Sequence, residues 1–168
     1  MVSIAIYSTF SSGLKVLRKV KDIDLAQQSF IFKVERLSRE IRETIPLRKL
    51  SLSGSKERVS FGLVVDDKPC RITYYLDNLD KNLLRSVDNL ADIFTKEGKI
   101  DPELKSKGTV FLKGIKEIQF GYLYFDLKQK AYAWDKEWKE VFLPLAIKLS
   151  ISTDKQNYAT IIFLPTAQ

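Results

Sequence analysis

Apolar and polar positions follow two different periods along this chain. From Ile4 to Ile45 no proline interrupts, and apolar residues return at helical spacing: Ile6, Phe10, Leu14 and Leu17, then Ile23, Phe30, Val34, Leu37 and Ile41. This predicts one long amphipathic helix. Pro46 disfavours helical geometry at Ile45 and so sets the end. Glu35/Arg39, Arg36/Glu40 and Arg39/Glu43 stand four apart on the side expected to face solvent.

Beyond Pro46 the stretch "PLRKLSLSGSKE" reads as a connector, after which the period changes to two. "RVSFGLVV" and "CRITYYL" flank the turn residues Asp66, Asp67, Lys68 and Pro69, and "NLLRSV" follows a turn around Asp77 to Lys81. Residues 89–108, with Gly98, Pro102 and many charges, read as a surface excursion with one helical turn. "GIKEIQFGYLYFDL" and "KAYAWD" form a second hairpin, with Lys128 to Lys130 at its tip. "LAIKLSI" and "YATIIFL" form a third around Thr153 to Asn157. The expected class is α+β, a long N-terminal helix packed on antiparallel sheet. Residues 1–50 would be the helix and residues 51–168 the β-rich globular part.

These two parts differ in size. The chain from Val59 onward should have a radius of gyration of about 13 Å, whereas a helix over 4–45 would be about 60 Å long at about 1.5 Å per residue. Only its second half, through Ile23, Phe30, Val34, Leu37 and Ile41, could lie on the sheet. The first half would project, leaving Ile6, Phe10, Leu14 and Leu17 for a partner or a membrane to cover.

Charge and composition narrow the chemistry. The chain has 168 residues, 28 Lys and Arg against 21 Asp and Glu, a net charge of +7, and no histidine. Without histidine, Ser-His-Asp and Cys-His nucleophile systems are excluded, and the commonest metal ligand is missing. Cys70 is the lone cysteine and reads as a small buried apolar side chain. Asp66/Asp67 and Asp77/Asp80 are carboxylate pairs, but Asp suits turns because it hydrogen-bonds its own backbone. No EF-hand spacing or phosphate-cradling glycine loop occurs. No catalytic, metal-ligating or cofactor-binding residue is therefore expected. Tyr74, Tyr75, Phe120, Tyr122, Tyr124 and Trp134 beside the basic residues could stack nucleic-acid bases. Acidic residues are interleaved with the basic ones, however, and period-two aromatics usually form a buried sheet face. Trp134 and Trp138 are expected to pack over their hairpin.

The opening "MVSIAIYSTFSSGL" carries no charge and is then followed by "KVLRKVKD". It is shorter than the roughly 20 apolar residues needed to span a bilayer, and it lacks the basic start of a secretory signal. "AIYSTFSSGL" with the basic helix after it resembles the stretch where the N-terminal helix of type IV pilin-like proteins leaves its membrane core. "FIFKVERLSREIRETIP" resembles its continuation in the minor pseudopilin J family of bacterial type II secretion systems. "ITYYLDNLDKNLLRSV", "LKGIKEIQFGYLYFD" with "YAWDKEWKE", and "FLPLAIKLSI" are similar to later segments of that family, in the same order. The prepilin leader, its cleavage site and the glutamate just beyond are missing from the pattern, so the chain resembles a family member without the start of its membrane helix.

The resemblance implies a non-enzymatic, structural role. The domain would be periplasmic, held at the inner membrane through the N-terminal helix of the full-length protein. Its partners would be the other minor pseudopilins, types I and K, the major pseudopilin and secreted substrate, at the tip of a short pseudopilus. Carried over to this sequence, the packing positions are Ile4, Ile6, Phe10, Leu14 and Leu17, with Val20 at the rim. Lys15, Arg18, Lys19 and Lys21 would lie where the helix emerges, against the usual positive-inside bias. The alternatives are a minor pilin of a type IV pilus, and a basic β-rich nucleic-acid-binding domain.

Overall fold

A computed structural model describes residues 25–45, 51–93 and 107–165. The chain divides into two compact units, Met1–Arg36 and Leu37–Gln168. In the first unit the described residues, 25–36, are helical. Leu25, Ile31 and Phe32 are exposed there, Phe30 is half-buried, and Val34 is buried.

The second unit starts inside the same helix, α1, described over residues 25–42. Among the described residues nine strands follow: β1 (Ser53–Ser55), β2 (Arg58–Val65), β3 (Lys68–Asp77), β4 (Asn82–Asn89), β5 (Thr109–Leu112), β6 (Ile115–Asp126), β7 (Ala131–Asp135), β8 (Ala146–Thr153) and β9 (Asn157–Phe163). A single helical turn, α2 (Leu90–Ile93), follows β4. The strands form two antiparallel sheets. The first has the order β1-β2-β3-β4-β5 and the second β7-β6-β8-β9.

This arrangement corrects the expected class. Among the described residues the protein is mostly antiparallel β, in two sheets with α1 and the single turn α2, and is not organised around a long N-terminal helix packed on a sheet. Helical spacing shows which side chains could line one stripe, but not how much of the core that stripe supplies. Of the 25 buried apolar side chains among the described residues, only Val34, Leu37 and Ile41 come from the helix, and the strands contribute most of the rest. The pair Arg36/Glu40 is also corrected on one side, because Glu40 is buried instead of facing solvent.

Local chemistry explains the strand boundaries. Asp66 and Asp67 both take positive φ (49° and 59°) between the paired ends Val65 and Lys68, the geometry a two-residue hairpin needs to match strand twist. At the next turn the Asp77 carboxylate accepts the Leu79 N–H at 3.0 Å. These aspartates therefore serve as turn residues. After α1 the Ile45 N–H donates to the Gly62 carbonyl at 3.0 Å, on the edge of β2 beyond the reach of β1.

The two sheets are joined largely through main-chain atoms. β7 pairs only with residues 122–126 of β6, leaving the earlier half of that edge open. Loops from the first sheet fill it. The Phe120 N–H donates to the Lys56 carbonyl at 2.7 Å, and the Ile115 N–H to the Lys81 carbonyl at 2.8 Å. Gly54 and Trp138 exchange two backbone hydrogen bonds, each of 2.9 Å. The Tyr122 hydroxyl lies 3.2 Å from both the Ser55 and the Arg58 carbonyl oxygens and donates to one of them at a time. Trp138 covers the joint, its ring 6.3 Å from that of Tyr122 and its indole N–H donating to the Phe142 carbonyl.

Candidate protein interface

Side chains alternate across each strand, so the register of the second sheet fixes the composition of its two faces. Ile118, Phe120 and Tyr122 of β6 stand opposite Ile151, Leu149 and Ile147 of β8, and all six are buried. These side chains form the inner face. The aromatics Phe120 and Tyr122, with Tyr74 on the first sheet, are therefore core residues and present no platform for stacking bases.

The outer face is apolar at one end. Trp134, Leu123, Ala146 and Phe163 lie in one line across β7, β6, β8 and β9. Beside that line Tyr132 stands opposite Phe125, their rings 5.3 Å apart and steeply inclined, and Ile161 precedes Phe163 by two residues on β9. Tyr132 is 70% exposed, Phe163 69%, and Trp134, Phe125 and Ile161 between 44% and 49%. The Trp134 ring lies against β6 beside Gly121, where a Cβ would make an ordinary van der Waals contact of 3.6 Å with the indole. Large apolar side chains exposed on β7, β6 and β9, with Ala146 of β8 in the line between them, are what contact with another macromolecule covers, and Trp and Tyr contribute most to such contacts.

The other end of the same face is polar. Glu117, Gln119, Ser150, Ser152, Asn157 and Ala159 line a shallow open depression there. The Lys56 ammonium lies 3.4 Å from Glu117, whose pKa is lowered by its hydrogen bonds from Gln119 and Lys56.

A second cluster, on the first sheet, is built for structure. Tyr74 donates to Glu40 at 2.7 Å, and Arg85 contacts the same carboxylate through Nε and Nη2, both at 3.0 Å. Burial, then the charge and hydrogen bond of Glu40, raise the Tyr74 pKa. For Arg85, burial opposes the charge, but the Glu40 hydrogen bond and the neighbouring charges outweigh it and the pKa is raised. The three groups satisfy one another inside the core. On the opposite side of the sheet, Arg71 contacts Asp88 at 3.0 Å, and the Ser60 and Thr73 hydroxyls share a buried bond of 2.9 Å. Among the described residues no group of three His, Cys, Asp or Glu side chains could hold a metal ion, and Cys70 is a buried free thiol.

The residues singled out from sequence fall in different places. Ile4, Ile6, Phe10, Leu14, Leu17, Val20 and Ile23 lie outside the described residues. Phe30 is half-buried, and Val34, Leu37 and Ile41 are wholly buried. Trp138 is buried as a covering residue, whereas Trp134 is exposed on the outer face. The apolar belt was not expected from sequence. Its signal is the alternation Tyr132, Trp134 on β7 and the unbroken run Ile161-Ile162-Phe163 on β9, because an edge strand apolar on both faces has a second face to cover.

No helix among the described residues is long and apolar enough to cross a membrane. No protein-family model matches the chain, and no curated protein matches its sequence.

Proposed function

We propose that this protein is a non-enzymatic minor pseudopilin of the J type, a structural component at the tip of a type II secretion pseudopilus. It would act by binding other minor pseudopilins from the periplasmic side of the inner membrane. The observation that carries this reading is the exposed apolar belt on the second sheet, a surface suited to protein contact, together with pilin-like segments in family order along the chain. Of those segments, "ITYYLDNLDKNLLRSV" forms most of the β3–β4 hairpin, "YAWDKEWKE" forms β7 and the strap bearing Trp138, and "FLPLAIKLSI" leads into β8.

The test is reconstitution with purified minor pseudopilins of types I and K from the same source. The wild-type chain should co-elute with them. A Trp134→Asp/Phe163→Asp variant with unchanged circular dichroism should not. Failure of the wild-type chain to bind either partner, combined with single-stranded nucleic-acid binding that weakens steeply with salt, would favour the nucleic-acid alternative.

A further inference from the structure

We infer that the outer edge of β9 is a self-association surface, on which a second copy of this chain adds its own β9 antiparallel to form one continuous eight-stranded sheet. This goes beyond the pseudopilin reading and stands without it. The four sheet edges differ in how they are protected. β1 has three residues, and Gly54 at its centre is already bonded to Trp138. β5 has four residues between Lys107 and Lys113. β7 has five, ends in Asp135 and is flanked by Lys130 and Lys136. β9 has seven, and from Asn157 to Pro165 it carries no charge. Short length and flanking lysines are how proteins keep an edge from pairing. β9 has neither.

The ladder to β8 shows which amides face outward. The Leu164 N–H donates to the Leu145 carbonyl, and the Thr153 N–H to the Gln156 carbonyl, bonds that flank the two opposite ends of the same register. Amides alternate between the two sides of a strand. Tyr158, Thr160 and Ile162 therefore bond β8, while Asn157, Ala159, Ile161 and Phe163 direct N–H and C=O away from it. Among the described residues no strand pairs on that side.

An antiparallel copy is complementary to this edge because each outward N–H meets an outward C=O. Pairing centred on Thr160 sets Ala159 opposite Ile161 of the second copy and Asn157 opposite Phe163, matching small with large side chains on the outer face. The line Trp134-Leu123-Ala146-Phe163 would then abut Asn157 of the second copy, so each apolar end would meet the other copy's polar end across the new strand pair. A contact of one strand plus these side chains is at the small end of interface sizes, so the dimer should be weak and concentration-dependent.

Sedimentation velocity of the whole chain over a hundredfold concentration range tests this. The wild type should pass from monomer to dimer. Ala159→Pro and Ile161→Pro each remove one outward amide and leave the β8 ladder intact, as proline on an edge strand allows, and each should weaken the dimer at least tenfold. Leu79→Ser, in the β3–β4 turn of the other sheet, should leave it unchanged. Should a proline variant fail to fold, amide exchange of the wild type decides. Ala159, Ile161 and Phe163 should be protected at high concentration and exchange freely on dilution. A chain that stays monomeric throughout would overturn the proposal. So would a dimer that both folded proline variants still form, or one whose β9 amides exchange at the same rate at all concentrations.

Discussion

Tyr74 on β3 and Glu40 on α1, 34 residues apart in sequence, are joined by a buried hydrogen bond of 2.7 Å, and Arg85 closes the group from β4. Removing the carboxylate leaves a nearly buried guanidinium without its charge partner. Glu40→Ala should therefore lower stability by about 3–5 kcal/mol, and Tyr74→Phe, which keeps the ion pair, by about 1 kcal/mol. Urea titrations of the two variants against wild type measure both.

Burial first, and for Tyr74 also the charge of Glu40, raise the pKa values of the Tyr74 and Tyr122 phenols above the ordinary value of about 10. At high pH the folded chain keeps two protons that the unfolded chain releases. The stability tied to them is complete below about pH 10 and is lost as pH rises beyond it, by about 1.4 kcal/mol per pH unit for each tyrosine. Urea midpoints should hold steady from pH 8 to pH 9 and fall beyond pH 10, and Tyr122→Phe should reduce that slope by about half.

Gly54 is required by close approach. A Cβ there would run into the Tyr122 phenol and stand 2.8 Å from the Arg58 carbonyl oxygen, which is backbone and cannot swing aside. Gly54→Ala should destabilise by about 2–3 kcal/mol, in the range of other overpacked sites. Thermal melts should show Tyr122→Phe restoring only part of the loss, since the Arg58 carbonyl remains.

The two tryptophans report different places. Trp138 is 3% exposed and Trp134 46%. Acrylamide should quench tryptophan emission in two classes, and Trp134→Phe should remove the accessible one. On binding a partner through the apolar belt, emission from a Trp138→Phe variant should shift to the blue.

Period-two alternation between turn residues identified seven of the nine strands, because Asp66-Asp67, Asp77 and the charged tip at Lys128–Lys130 mark the chain reversals. β1 and β5 were missed. Ser53-Gly54-Ser55 has the composition of a linker and becomes a strand only through β2 and Trp138, while Thr109–Leu112 is too short to show a period. The limited share of the helix in the core is hidden for a related reason, since an amphipathic stripe does not reveal how few of its side chains are buried. The candidate interface was hidden because Trp134, Leu123 and Phe163 are far apart in sequence and meet only through the β7-β6-β8-β9 order.

Carbonyls of Lys56 and Lys81 and the amides of Phe120 and Ile115 hold one sheet to the other. A seam written in main-chain atoms is indifferent to most side-chain replacement. The loops along it can drift in sequence over evolutionary time while the angle at which the Trp134 face is presented stays the same, and Gly54 is the position where that freedom ends.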